Sequence, residues 1–449
     1  MRISVIIPVR NGGQELERCL AALDRSRYSD YECIVVDDGS TDGSAGVAEG
    51  HGCRVIRLPA SGGPAAARNL GARQATGEIL FFIDADVCVQ PDSVGRVAGH
   101  FAGQEDLDAV IGSYDESPDS PDFLSQYKNL MHCFVHQSAQ QAGSTFWSGC
   151  GAIRKAVFEK YSGFSESYRR PAIEDIELGY RMAADGRRIT LDKGLRVKHL
   201  KAWSFWRLVK TDIVDRGIPW TELILRDSNM PNDLNLQISQ RISVALVAMM
   251  LLAVGALAVH FRGLFLVPLL LLLVLLLSLY WFHDWNAARP RGALLASIVG
   301  TVGAAIFLSW RHHMLALIPP LVVTLAWIYL RHRFLRSSSH WRVYSVLTAV
   351  CLLGTVVFIL SFMPKHPLIV MPFVILMLVL FLNSQFYFFL RGRRNFLFAL
   401  AAVPFHLLYH FYNGISFLAG SALYSGRNLA KRVGSARGGR ARSQAGPVK

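Results

Sequence analysis

The chain has 449 residues, 52% of them hydrophobic and 18% charged, and its formal charge of +14 is unevenly placed: residues 1–240 carry −5, residues 241–424 carry +12 and residues 425–449 carry +7. A basic excess lying between long apolar runs and in a tail, rather than on polar folded surface, excludes a soluble nucleic-acid binder and indicates a mildly acidic head followed by a membrane segment. Seven scattered cysteines without Cys-x-x-Cys spacing exclude a disulfide scaffold and read as reduced thiols, so the head is expected to be cytoplasmic.

In chain order, apolar runs at 3–9, 31–37, 53–58, 78–84 and 108–113 have the continuous hydrophobicity of strands covered on both faces. Helical patterns at 12–23, 42–50, 62–75 and 91–101 separate them, each opened by Gly, Pro, Asp or Ser. Met1 to Arg10 has a short apolar run and an early proline, not a signal peptide, so membrane insertion is expected to start from an internal segment. The alternation predicts βαβ units and a mostly parallel sheet, whose ligands bind beyond the carboxyl ends of the strands. The residues delivered there are Pro8, Val9, Arg10 and Asn11 after the first run, Asp37 and Asp38 after the second, and Asp84-Ala85-Asp86 after the fourth.

Asp84 and Asp86 are two residues apart at a strand end, so both carboxylates project to one side and can reach one cation. Hard oxygen ligands suit Mg²⁺ or Mn²⁺, which would bridge a diphosphate. With Asp38 at a neighbouring strand end, three carboxylates would repel one another without a cation.

The segments IIPVRNGG (6–13), IVVDDGSTDGS (34–44), GGPAAARNLGARQATGEILFFIDAD (62–86), FWSGCGAIRK (146–155) and IEDIELGYRM (173–182) resemble, in this order and at this spacing, the family 2 glycosyltransferases. The resemblance covers residues 3–226. It implies an α/β GT-A fold, Rossmann-like, of the nucleotide-diphospho-sugar transferases, with a UDP-sugar as donor. It also implies Asp38 on the uracil, Asp84 and Asp86 on Mn²⁺ or Mg²⁺ and the donor diphosphate, His199 as a further metal ligand, and Asp175, in the pair Glu174-Asp175, as catalytic base. A helix cap is the alternative role for Asp175, which opens a helical pattern. An acceptor hydroxyl is a poor nucleophile, so a carboxylate must take its proton as the new bond forms; one base opposite the leaving UDP gives inversion. Trp147, Gly149, Cys150 and Gly151 are the expected acceptor contacts, through ring stacking and close backbone approach, with a plain tight turn as the alternative. Arg68 either faces the diphosphate or is a surface charge, and Arg10 stands where many relatives have Tyr.

Residues 199–226 interleave Trp203, Phe205, Trp206 and Trp220 with Lys201, Arg207, Lys210, Arg216 and Arg226. The mixture predicts an interfacial helix with its rings at headgroup depth; a soluble amphipathic helix packed on the sheet is the other reading. Processive synthases of the family carry Gln-x-x-Arg-Trp here, whereas this chain has Arg216-Gly-Ile-Pro-Trp220. That departure favours transfer of one or a few sugars to a lipid-linked acceptor over a processive polysaccharide synthase. A transporter or scaffold with a non-catalytic nucleotide-sugar sensor is a rival from another class.

The expected organisation is a GT-A domain over 1–200, an interfacial region over 201–240, a transmembrane domain over 241–424 and a disordered basic tail over 425–449. Spans are predicted at 242–259, 264–282, 293–310, 314–330, 343–363 and 368–390. Loops placed inside carry nine Lys or Arg and those outside three, which puts head and tail on the cytoplasmic side of the inner (plasma) membrane. The apolar stretch 397–424 is expected in the interface or as a re-entrant segment, because a seventh crossing would move the basic tail outside; an ordinary seventh helix is the alternative.

Overall fold

The computed structural model describes residues 1–260 and 367–444. The chain divides into two compact units, Met1–Gln237 with Tyr412–Lys449, and Ile238–Phe411.

The first unit is built on an eight-stranded sheet of order β3-β2-β1-β4-β7-β6-β8-β5. The strands are β1 (Ile3–Val9), β2 (Tyr31–Asp37), β3 (Arg54–Arg57), β4 (Ile79–Ile83), β5 (Val87–Val89), β6 (Ala109–Tyr114), β7 (Cys150–Arg154) and β8 (Ile189–His199). The helices between them are α1 (Gly13–Leu23), α2 (Ser44–Gly50), α3 (Pro64–Gln74), α4 (Ser93–Gly103), α5 (Phe123–Ser138), α6 (Lys155–Lys160) and α7 (Glu174–Ala184). Strands β1 and β4 lie in the middle of the sheet and are buried along nearly their whole length, which is why their sequences are continuous apolar runs. Phe82 of β4 stacks against Phe146, Phe158 and Phe164, an aromatic knot that fills the space under β7.

The sheet is mixed, where a mostly parallel one was expected. Strands β1, β2, β3 and β4 pair in parallel, but β7 runs antiparallel to both β4 and β6, and β5 runs antiparallel to β8. The antiparallel β7 is short and sits among Gly and Cys residues. Strand β8 carries Asp192, Lys193, Arg196 and Lys198, so neither shows the apolar run of a doubly covered strand.

After β8 the chain forms α8 (Phe205–Lys210), a π-helical turn (Thr211–Gly217) and α9 (Ile218–Asp227). This segment packs on the head, where two of its tryptophans find protein partners. Trp203 is buried, its backbone N–H donating to Ser125 Oγ (2.7 Å) and its indole Nε1 to Asn129 Oδ1 (3.4 Å). Trp220 donates from Nε1 to the Tyr180 hydroxyl (3.0 Å) and lies against a cluster of Ile173, Tyr180 and Leu223. Each indole buries its area on protein and satisfies its N–H there. Trp206, by contrast, is 77% exposed.

In the second unit α10 (Ile238–His260) packs against α11 (Pro367–Leu382) through Val247, Ile375 and Val379. Asn383 Nδ2 donates to Ser243 Oγ (2.8 Å) and Gln240 Nε2 donates to Asn383 Oδ1 (3.1 Å). The predicted span 368–390 is broken at Asn383: α11 and α12 (Ser384–Arg393) meet at 61°. The predicted spans from 264 to 363 lie outside the described residues.

The stretch 397–424, expected to lie in the interface or to re-enter, belongs to one unbroken helix, α13 (Phe396–Gln444). No chain reversal occurs in it, and Pro404 is accommodated within the helix, as apolar helices allow. The tail expected to be disordered continues this helix to Gln444; Ala, Leu, Lys and Arg are good helix formers. From Tyr412 onward α13 belongs to the first unit. Its hydroxyl at Tyr412 donates to Asp212 in the π-helical turn, and Arg427 pairs with Glu222 (2.6 Å). Gly420 admits the approach, since a Cβ there would stand 2.7 Å from that of Thr221. Among the described residues, two helical stretches, Ile238–Leu257 and Phe396–Leu429, are long and apolar enough to cross a membrane, and the bent pair adds a third if counted as one span.

Candidate active site

The turns after β1 and β2 are laced together. Asn11, with a left-handed backbone (φ 52°), accepts from the Thr41 N–H at 2.7 Å, and its own N–H donates to Ser40 Oγ. Asp38 is buried and accepts from Ser61 Oγ (2.7 Å) and from the Gly62 and Gly63 N–H groups (2.7 and 3.1 Å). It thus fastens the loop that opens α3. Gly63 has φ 90°, and a Cβ there would stand 2.5 Å from the Arg169 carbonyl oxygen, so the loop requires glycine.

After β4 a tight turn carries Asp84-Ala85-Asp86 into β5, with the Val87 N–H donating to the Asp84 carbonyl (3.1 Å). The two carboxylates have different partners. Asp84 Oδ1 accepts from Arg68 Nη2 at 2.6 Å, while Arg68 Nη1 donates to Glu174 Oε1 at 2.9 Å. Arg68, on α3, is 5% exposed, which rules out its reading as a surface charge; it ties two carboxylates together below the strand ends. Its Nε finds no partner among the described residues. Burial pushes the Glu174 carboxyl upward and Asp175 adds to this, against the opposing pull of Arg68. Glu174, expected beside Asp175 in the chemistry, is therefore turned inward to the guanidinium.

Asp175, half-buried on the first turn of α7, accepts at Oδ2 from both the N–H and the hydroxyl of Ser148, each at 3.0 Å. Its Oδ1 accepts from the Ile176 N–H (2.8 Å), a contact of the capping kind. The carboxylate is thus held on the turn that precedes β7.

Asp86 lies against His199, the last residue of β8, with Oδ2 and Nε2 3.6 Å apart, longer than a hydrogen bond. Burial pushes the Asp86 carboxyl up, but His199 and Lys201 outweigh it and hold it at about 2. Nδ1 of His199 bonds Asn129 Oδ1 of α5 at 2.7 Å, which fixes the ring with Nε2 toward Asp86. Among the described residues no three His, Cys, Asp or Glu side chains are gathered closely enough to hold a metal as they stand. Of the expected set, Asp86 and His199 are together and Asp84 is paired with Arg68 instead. An oxygen and a nitrogen donor side by side, the imidazole oriented by an amide, nevertheless fit a divalent cation.

The His199 ring stacks on Tyr114 of β6 (4.4 Å between centroids), Tyr114 packs edge-on to Trp147 (4.8 Å), and Trp147 meets His136 of α5 (4.8 Å). Trp147, expected beside an acceptor, is half-buried. The other three expected acceptor residues serve packing. Cys150 and Gly151 are buried in β7, and burial pushes the Cys150 thiol up. A Cβ at Gly149 would stand 2.7 Å from the Trp147 ring, and one at Gly151 would stand 2.3 Å from the Trp147 carbonyl oxygen. Ser148, Asn129 and Tyr114 were not singled out by the sequence. Their partners lie 27, 70 and 85 residues away in the chain, and no local pattern signals such contacts.

A family model described as glycosyl transferase family 2 matches residues 4–162. The chain is 34% identical to the glycosyltransferase GlyG of Streptococcus pneumoniae over 123 residues, 26% of this chain and 40% of that protein. It is 29% identical to validoxylamine A glucosyltransferase of Streptomyces hygroscopicus over 236 residues, 44% of this chain and 56% of that protein. It thus spans about half the length of these relatives. Among solved structures, S. aureus TarS 1–349 with UDP-GlcNAc is 20% identical with a TM-score of 0.40, covering 51% of this chain and 66% of that one. The mannosyltransferase PcManGT from Pyrobaculum calidifontis, in complex with GDP-Man and Mn²⁺, is 17% identical with a TM-score of 0.37, covering 79% of this chain and 86% of that one. The head thus carries a GT-A-like mixed sheet, and its residues 4–162 match the glycosyl transferase family 2 model.

Proposed function

We propose that this chain is a membrane-anchored, inverting glycosyltransferase that takes a UDP-sugar on the cytoplasmic side and transfers the sugar to a lipid-linked acceptor. The observation that carries the reading is the convergence of Asp84, Asp86, His199 and Asp175 around the carboxyl end of β4, with the buried Arg68 joining Asp84 to the residue next to Asp175. The nucleoside belongs with Asn11 and Asp38, where the turns after β1 and β2 meet. A divalent cation, Mn²⁺ or Mg²⁺, held by Asp86 and His199, would neutralise charge on the donor diphosphate.

Asp175 is the base. Ser148 occupies one of its oxygens and fixes its orientation, and the carboxylate accepts the acceptor hydroxyl proton as the new C–O bond forms. Asn129 keeps the His199 ring turned toward Asp86. Trp147 offers an open ring face for a sugar. The membrane attachment rests on α10 and α13, which are apolar and long enough to cross a bilayer, and the sidedness rests on the distribution of Lys and Arg.

The test uses the purified full-length protein with a panel of UDP-sugars, with and without membrane lipid extract, and follows UDP release. Release that needs lipid, stops with EDTA and returns with Mn²⁺ is expected. No release with any UDP-sugar would overturn the reading. Release untouched by EDTA would overturn its metal, and products that lengthen with time would replace it with processive synthesis.

A further inference from the structure

The seven cysteines show no paired spacing in the sequence, yet the fold brings two of them together at the end of the sheet remote from Asp38. Cys33 lies in β2 and Cys53 immediately precedes β3. The two strands pair in parallel with Ile34 opposite Arg54, so Cys33 and Cys53 occupy facing positions one step before the ladder begins. Their Sγ atoms are 2.8 Å apart. Neighbouring strands run about 4.7–4.9 Å apart, inside the Cα separation of roughly 4.4–6.8 Å that a disulfide spans.

Among the described residues Cys19, Cys133 and Cys150 are buried, whereas Cys33, Cys53 and Cys88 are partly exposed. Cys33 and Cys53 line a cavity of about 530 Å³ that also contains Asp24, Tyr31 and His51. His51 bonds Asp24 through Nδ1 (2.6 Å) and lies 3.3 Å from Glu17 through Nε2. These carboxylates favour its imidazolium form. The pair is also unsymmetrical: the hydrogen bond between the sulfurs pushes Cys53 down, against burial and Asp24, and pushes Cys33 up together with burial. Cys53 is thus the more acidic thiol of the two.

We propose that Cys33 and Cys53 are a reversible dithiol–disulfide modification site, oxidised by a low-molecular-weight disulfide of the glutathione type that enters through this cavity. The Cys53 thiolate attacks one sulfur of the small disulfide, forming a mixed disulfide and releasing one thiolate. Cys33 then gives up its proton, attacks the Cys53 sulfur and expels the second thiolate. Two electrons pass from the protein dithiol to the small disulfide, which leaves as two thiols, and the new bond joins β2 to the start of β3. The site is independent of the glycosyltransferase reading, because neither cysteine touches the residues assigned to donor or acceptor. In a reducing compartment such a bond is transient.

The test treats the full-length protein in detergent with glutathione disulfide, alkylates the remaining thiols with N-ethylmaleimide, and maps peptides by mass. The expected result is a peptide cross-linked between Cys33 and Cys53, reversed by dithiothreitol, with Cys19, Cys133 and Cys150 unaffected. Cys33→Ser is expected to stop at the mixed disulfide on Cys53, and Cys53→Ser to leave Cys33 free. Full alkylation of both cysteines after the oxidant, or glutathione retained on either one in the unsubstituted protein without a cross-link, would overturn the proposal. A Cys88→Ser chain is expected to form the same cross-link, and its loss there would also overturn it.

Discussion

The two halves of the head sheet are built by different rules. From β3 to β4 the strands are parallel, each joined to the next by a helix nearby in sequence, and the turns at their carboxyl ends carry Asn11, Asp38, Asp84 and Asp86. From β7 to β5 the pairing is mostly antiparallel, and the residues brought together come from far apart: Ser148 with Asp175, Asn129 with His199, Tyr114 with Trp147. The first half gathers its polar residues from local turns. The second gathers them through long-range packing. Under the proposed function, damage to the second half should separate turnover from donor binding.

The largest separation is expected for Asp175→Asn. Loss of a general base costs about 100- to 10,000-fold in rate, so UDP release should fall by that order while UDP affinity is unchanged; turnover near that of the unsubstituted protein would remove Asp175 from the chemistry. Arg68→Ala tests the bridge between the halves. It leaves Asp84 and Glu174 without their shared cation, and breaking a buried pair costs roughly 3–5 kcal/mol. Thermal unfolding of the full-length protein should show that loss, and an unchanged midpoint would mean that the carboxylates do not depend on the guanidinium.

Smaller effects sharpen the comparison. Asn129→Ala frees the His199 ring, and outer partners of metal-binding histidines are worth about 10- to 100-fold in metal affinity. Mn²⁺-dependent UDP binding should weaken by that factor while metal-free binding stays constant; an equal effect on both would assign Asn129 to packing alone. Ser148→Ala removes one of two contacts to Asp175 Oδ2 and keeps the backbone one. A hydrogen bond to a charged group is worth about 1.5–3 kcal/mol, of which the remaining backbone contact retains part, so turnover should drop by up to about ten-fold with acceptor KM unchanged. A change in KM instead would place Ser148 against the acceptor.

The same division governs what the sequence made legible. Continuous apolar runs and flanking helix starts located β1 to β4, β6 and α1 to α4 within a few residues, and Asp84 and Asp86 followed from their place at a strand end. Strand β7 was hidden because its Gly151 is dictated by the Trp147 carbonyl and the Phe146 ring packed against it, not by strand propensity. Arg68 was ambiguous because only the fold shows that its guanidinium is buried. Trp203 and Trp220 were ambiguous for another reason. Indoles interleaved with cations give the same pattern on a helix facing headgroups and on one packed against protein, and the partners Asn129 and Tyr180 lie 74 and 40 residues away.

The contact of Tyr412 with Asp212 bears on the order in which the protein can be finished. Lys128 donates to both oxygens of Asp212 (2.8 and 2.6 Å), and the Tyr412 hydroxyl completes the cluster in a region closed to water. Burial lowers the Lys128 ammonium, so its charge depends on Asp212 remaining close. The ribosome makes Lys128 and Asp212 early and Tyr412 only after the intervening apolar segments have emerged. The head is therefore not complete when its last strand leaves the exit tunnel. Its final piece arrives after the apolar segments, and a fragment ended at Gln237 would present an acidic, water-exposed seam where the C-terminal helix belongs.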